Sequence, residues 1–144
     1  MKKFKFTLQT FMKTKKIQES QVKKKLAEIM RQWYSAKSLA EQMEKDIRDM
    51  QQQWLMKLME GTNTNSLTQY VYCIETLSKQ LTNQKLLIEK IEKDLALCQD
   101  ELKKVMGEIK GLQKLEEKQY EEFLYECKKE QESEIDEFVV FQIK

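Results

Sequence analysis

Glu60-Gly61-Thr62-Asn63-Thr64-Asn65-Ser66 is the one stretch in which a glycine falls together with several Asn, Thr and Ser residues, and its reading decides the fold. Glycine and short polar side chains supply the backbone freedom and local hydrogen bonds that a chain reversal needs. Elsewhere such residues are scarce, with no proline and only three glycines in 144 residues. So few turn formers cannot make the many reversals of a multi-strand fold. Ser66 followed by Gln69 has the S-x-x-Q form of a capping box, so a second helix is expected to begin near Leu67.

Upstream of this break, apolar residues recur at alternating steps of four and three through Val22, Leu26, Ile29, Trp33, Ala36, Ala40, Met43, Ile47, Met50 and Trp54. This is a heptad seam. Leu8 and Phe11 join it only through polar Lys15 and Gln18, with two successive steps of four that should unwind the supercoil locally. Thr7 is the expected N-cap. Downstream, the seam runs through Leu67, Tyr70, Ile74, Leu77, Leu81, Gln84, Ile88, Ile91, Leu95, Cys98, Leu102, Val105, Ile109, Leu112, Glu116, Gln119 and Phe123. Gly107 and Gly111 lie beside it and read as close packing or local softness.

A connection this short between long helices favours an antiparallel return. The fold class is therefore all-α, a long antiparallel two-helix coiled-coil hairpin. One coiled-coil domain is expected over 1–144, with helix 1 over about 7–60, a loop at 61–66, helix 2 over about 67–137 and an apolar tail at 138–144. At 1.5 Å per residue the helices are ~80 and ~105 Å long. Folding about residue 63 leaves everything after about 120 without an intrachain helix opposite it. That overhang carries Phe123, Leu124 and Tyr125, then Ile135 to Ile143, an apolar end that either frays or is covered by a partner.

Charge is unevenly placed although the formal net charge is only +2. Residues 1–25 carry nine lysines against Glu19, whereas residues 116–137 carry ten acids against three lysines. The fold-back lays these segments side by side, an internal match of mostly solvated charges. The lysine arm contains no arginine and belongs to no nucleic-acid motif, so no nucleic acid is expected as a partner. Its Phe4, Phe6, Leu8, Phe11 and Met12 also permit contact with a membrane surface, but a long amphipathic face is missing, and no direct membrane insertion is expected.

No catalytic constellation is present. There is no histidine, no phosphate-binding glycine loop and no nucleophile elbow. Carboxylate runs such as Glu116-Glu117 and Glu121-Glu122 read as a solvated helix face, and a two-helix rod has no water-excluded cleft to shift their pKa values. The chain reads as a non-enzyme without cofactor or metal. Cys73, Cys98 and Cys127, odd in number and without C-x-x-C spacing, read as small apolar residues of or near the seam. Met-Lys-Lys-Phe-Lys-Phe-Thr lacks the apolar core of a signal peptide, so a cytoplasmic location is expected.

Phe4-Lys5-Phe6-Thr7-Leu8-Gln9-Thr10-Phe11-Met12, the hairpin, Ile74-Glu75-Thr76-Leu77 after the loop and Ile135-Asp136-Glu137-Phe138 near the end together resemble the flagellar export protein FliJ family. Two features depart from the family's pattern: Phe11-Met12 where two leucines are frequent, and an apolar ending where a basic or polar tail is common. The resemblance implies a cytoplasmic stalk of the flagellar type III export apparatus, at the cytoplasmic face of the inner membrane. Its coiled coil is similar to the gamma-subunit stalk of rotary ATP synthases. The implied partners are the export ATPase ring, which takes the open end, the export gate protein and export chaperones; the self-sufficient hairpin is itself expected to be a monomer. A generic coiled-coil tether or dimerisation protein is the alternative.

By position, the resemblance implies that Phe4, Phe6, Leu8, Phe11, Phe123, Tyr125, Ile135, Asp136, Glu137 and Phe138 face the ATPase. Ile47, Met50, Trp54, Cys73, Leu77 and Gln84 are implied for the gate side. Several of the latter also fall on the seam; where they are buried, gate contact passes to their neighbours.

Overall fold

The computed structural model describes residues 2–143, with Ile143 described by its backbone alone; the tail calls on the Ile143 side chain and on Lys144 lie outside the described residues. Two helices, α1 (Gln9–Glu60) and α2 (Thr64–Ile143), pack as a hairpin, and no strand occurs among the described residues. The turn is tighter than the sequence suggests. Gly61, immediately after α1, has φ +81°, the left-handed conformation that ends helices and that favours glycine. Asn63, rather than Ser66, caps α2: its Oδ1 accepts the Ser66 amide at 2.9 Å, and its carbonyl accepts the Leu67 amide at 3.4 Å. Ser66 is thereby the third residue of the helix, and α2 starts three residues before the expected Leu67. Its other end also differs, since residues 138–143 continue the helix instead of forming a separate tail.

The chain divides into two compact units, one of Lys23–Asp100 and one of Met1–Val22 with Glu101–Lys144. In the unit of Lys23–Asp100, Ala36, Ala40, Ile88 and Ile91 form the buried centre, with Ile29, Trp33 and Leu81 packed against it. The alanines are small enough for α2 to approach the α1 backbone, and Gln84 Nε2 donates to the Ala36 carbonyl at 3.0 Å. A polar seam residue is thus satisfied where an unpaired amide is costly. Trp33 Nε1 donates to Glu92 Oε1 at 3.1 Å, and Lys85 pairs with Glu44 at 3.6 Å. Register here follows the expected seam, since each of its positions in this unit is buried or half-buried.

In the unit built from both chain ends, Val22, Val105, Ile109 and Leu112 are buried. Residues 2–6 are not helical. They run along α2 and put Phe6 into a core with Met12 and Leu112, with Phe4 packed against it. Phe4 also meets Tyr120 at a ring-centroid distance of 5.2 Å and Phe123 at 5.6 Å. Thr7 is not a helix cap. Its amide and hydroxyl are engaged by the Gln119 side chain, at 3.5 and 3.3 Å to Oε1 and 3.1 Å from Nε2, and α1 begins only at Gln9. Nor is Phe11 a seam residue: it is half exposed, and Met12, one position on, is buried in its place.

Part of the charge asymmetry is matched inside this unit. Lys2 pairs with Glu130 at 3.4 Å, and Lys15 pairs with Glu108. A hydrogen bond from Lys15 outweighs the opposing desolvation and, with the charges of Lys15 and Lys104, holds the Glu108 carboxyl below its ordinary value. A carboxylate lowered on folding stabilises the fold above its unfolded pKa, and that contribution is lost as pH falls through the folded value. The Lys2 contact also moves the start of the overhang. An extended arm covers more length per residue than a helix, so the first residues reach beyond the expected limit near 120.

Gly107 and Gly111 are not close-packing sites, because a Cβ at either position meets nothing within 4 Å. Both lie inside α2 without positive φ, so they only cost backbone entropy. Gly107→Ala and Gly111→Ala should each raise stability by about 0.5–1 kcal/mol in urea unfolding. A loss at either position would show that the helix needs softness there.

Candidate functional site

No group of acidic or cysteine side chains suited to a metal occurs among the described residues, and no described helix is long and apolar enough to cross a membrane. The candidate sites are therefore surfaces, and each unit carries one.

In the unit of the chain ends, α2 is exposed at every position from Lys128 to Gln142. Leu124, Tyr125, Ile135, Phe138, Val139, Val140 and Phe141 are all exposed there, Phe141 to 80%. Of the residues assigned to the ATPase side, Ile135, Asp136, Glu137 and Phe138 lie on this bare stretch, Tyr125 is exposed just before it, and Leu8 and Phe11 are exposed on the other chain segment. Phe4 and Phe123 are half-buried against one another, and Phe6 is buried. Those three hold the arm to α2, and only Phe6 is fully taken up by that packing. Leu124 of the expected overhang is exposed, and so is Tyr120, which the seam pattern passes over because it lies beside Gln119.

In the unit of Lys23–Asp100, the assigned gate residues fall on the seam and pack inward. Ile47 is buried, while Met50, Trp54, Leu77 and Gln84 are half-buried, Gln84 being held by the Ala36 carbonyl. Trp54 Nε1 is buried without an acceptor among the described residues. Cys73 alone of the six is exposed, lying beside the seam position Ile74, which faces inward. Cys98 does pack in the seam, and Cys127 is half-buried. Leu55, Met56 and Met59 near the end of α1 and Val71 and Tyr72 near the start of α2 are also exposed, Met59 to 86%. Their signal in the sequence is an excess of apolar residues beyond the two per heptad that a seam consumes.

The family described as "Flagellar FliJ protein" matches the chain over residues 4–144. The chain belongs to the FliJ family. FliJ proteins have a role in flagellar export, and that role is this chain's. Neither a curated protein nor a solved structure matches the chain. The matched region runs from Phe4 of the arm through both helices to the bare end of α2.

Proposed function

We propose that the chain is the non-enzymatic stalk of the flagellar type III export apparatus, working at the cytoplasmic face of the inner membrane as a monomer. The unit of the chain ends docks in the export ATPase ring. The unit of the turn faces the export gate through Met56, Met59, Tyr72 and Cys73, and export chaperones bind the same rod. The observation that carries this reading is the bare apolar end of α2, whose Tyr125, Ile135, Phe138 and Phe141 are exposed in a chain otherwise 35% charged. Such an end is stabilised by a partner that covers it. Burying each large side chain contributes roughly 1.5–3 kcal/mol before the costs of association.

A titration of the protein into its export ATPase should promote ring assembly or hydrolysis, because a rod seated in a symmetric ring adds contacts that isolated subunits lack. Removing residues 133–144 should weaken that interaction by about an order of magnitude or more, the equivalent of ~1.4 kcal/mol. The hairpin's thermal midpoint should hardly move, since no side chain of the two cores is lost. An ATPase whose oligomer distribution and turnover stay flat at saturating protein refutes the docking. A light-scattering mass near 17.4 kDa is expected for the free chain.

A further inference from the structure

We propose that the end of α2 takes a partner surface in which lysine or arginine side chains rim an apolar groove, so that electrostatic complementarity steers the contact. After a second successive step of four, from Phe123 to Cys127, the three-and-four stepping of the α2 seam resumes through Glu130, Glu134 and Glu137. The apolar residues Ile135, Phe138 and Val139 lie off that line, centred roughly a third of a turn around the helix at 3.6 residues per turn. Glu134 and Glu137 border this stripe on the seam side, and Glu132 and Asp136 border it on the other. All of these residues are exposed, no lysine or arginine occurs between Glu130 and Ile143, and none of the four bordering acids is in an ion pair among the described residues.

The chain itself shows what such a surface accepts. The acidic and aromatic part of α2 just before this stripe is occupied by a lysine and aromatic segment: Phe4 sits on Tyr120 and Phe123, and Lys2 pairs with Glu130. The end of α2 repeats that chemistry on a fresh face where the arm does not reach. A second copy of the same acidic end is a poor occupant, since like charges would face each other across the contact.

The inference rests on the ATPase reading only for its first probe. Full-length protein and the variant Glu132→Gln/Glu134→Gln/Asp136→Asn/Glu137→Gln would be compared for binding to the export ATPase at about 50 and about 300 mM NaCl, where screening differs strongly. Both would also be titrated with a synthetic lysine-leucine amphipathic peptide and with its glutamate-leucine counterpart, and unchanged circular dichroism melts would confirm that the variant folds. The expected result is an affinity about tenfold lower for the variant at low salt, with its salt dependence flattened. The lysine peptide should bind the native chain and lose to the variant, and the glutamate peptide should bind neither.

ATPase binding of equal strength in both proteins at both salts overturns the inference and leaves the stalk reading in place. If the native chain does not bind the ATPase at all, the stalk reading falls, and the peptides decide: lysine-peptide binding that the variant loses supports the inference, and equal or absent binding overturns it. A concentration-dependent doubling of mass that Phe138→Ala abolishes would make a second copy the occupant, which also overturns it.

Discussion

Ile91→Pro should collapse the hairpin while Thr64→Pro leaves it standing. Ile91 lies mid-helix in α2 and is buried with Ala36, Ala40 and Ile88. A proline there removes one helical hydrogen bond and drives its ring against the carbonyl one turn back, costing about 3 kcal/mol or more. Loss of the buried isoleucine adds about 2 kcal/mol, the low end for large-to-small changes in a core. Small domains hold only about 5–15 kcal/mol in total. Thr64 is different because it is the first helical residue after the Asn63 cap. Its amide has no intrahelical acceptor, and the cap residue before it already takes the extended backbone that precedes proline. Circular dichroism melts of the two variants give the comparison, and midpoints lowered equally would mean that the chain does not turn at residues 61–63.

That contrast shows what the sequence makes legible. Along α2, a strict three-and-four repeat from Leu67 to Phe123 identifies the inward face, and even its polar members Gln84, Glu116 and Gln119 are half-buried. Periodicity works there because a helix presents one face to a neighbour that is also a helix. It fails where the neighbour is not helical. Residues 2–6 have no helical period, yet Phe6 is buried and Phe4 lies on two aromatic rings of α2. Extending the α1 seam backwards therefore selected Phe11, whereas the turn at Thr7 and Leu8 shifts the inward position to Met12.

The candidate surfaces divide in the same way. A seam position is conspicuous in sequence because it repeats, and for that reason it is spent on the hairpin: Ile47, Trp54 and Leu77 pack inward. Met56, Met59 and Tyr72 break the repeat and are the ones left in solvent. At the end of α2 the seam positions turn acidic, so Ile135 and Phe138 have no intrachain use, and their exposure is legible in the sequence. The arm's reach to Glu130 was not, since it depends on the extended backbone of residues 2–6.

Phe6→Ala should be the most damaging single change outside the helices. Phe6 is 4% exposed, packs with Met12 and Leu112, and its carbonyl accepts the Gln9 amide at 3.2 Å where α1 begins. Truncating a buried phenylalanine costs about 3 kcal/mol or more when the surroundings cannot close the gap. Here the arm has the option of leaving α2 altogether, which would also uncover the ring that Phe4 places on Tyr120 and Phe123 and release Lys2 from Glu130. The stability lost is then that of the docked arm, and trypsin should cut at Lys2, Lys3 and Lys5 much faster than in the native chain. Phe11→Ala is the matched control, because Phe11 is 50% exposed and its loss should cost well under half as much. Urea midpoints and cleavage rates for the two variants distinguish the alternatives. Equal effects from Phe6 and Phe11 would mean that α1 continues its helical seam back through Phe11 and that the arm does not lie along α2.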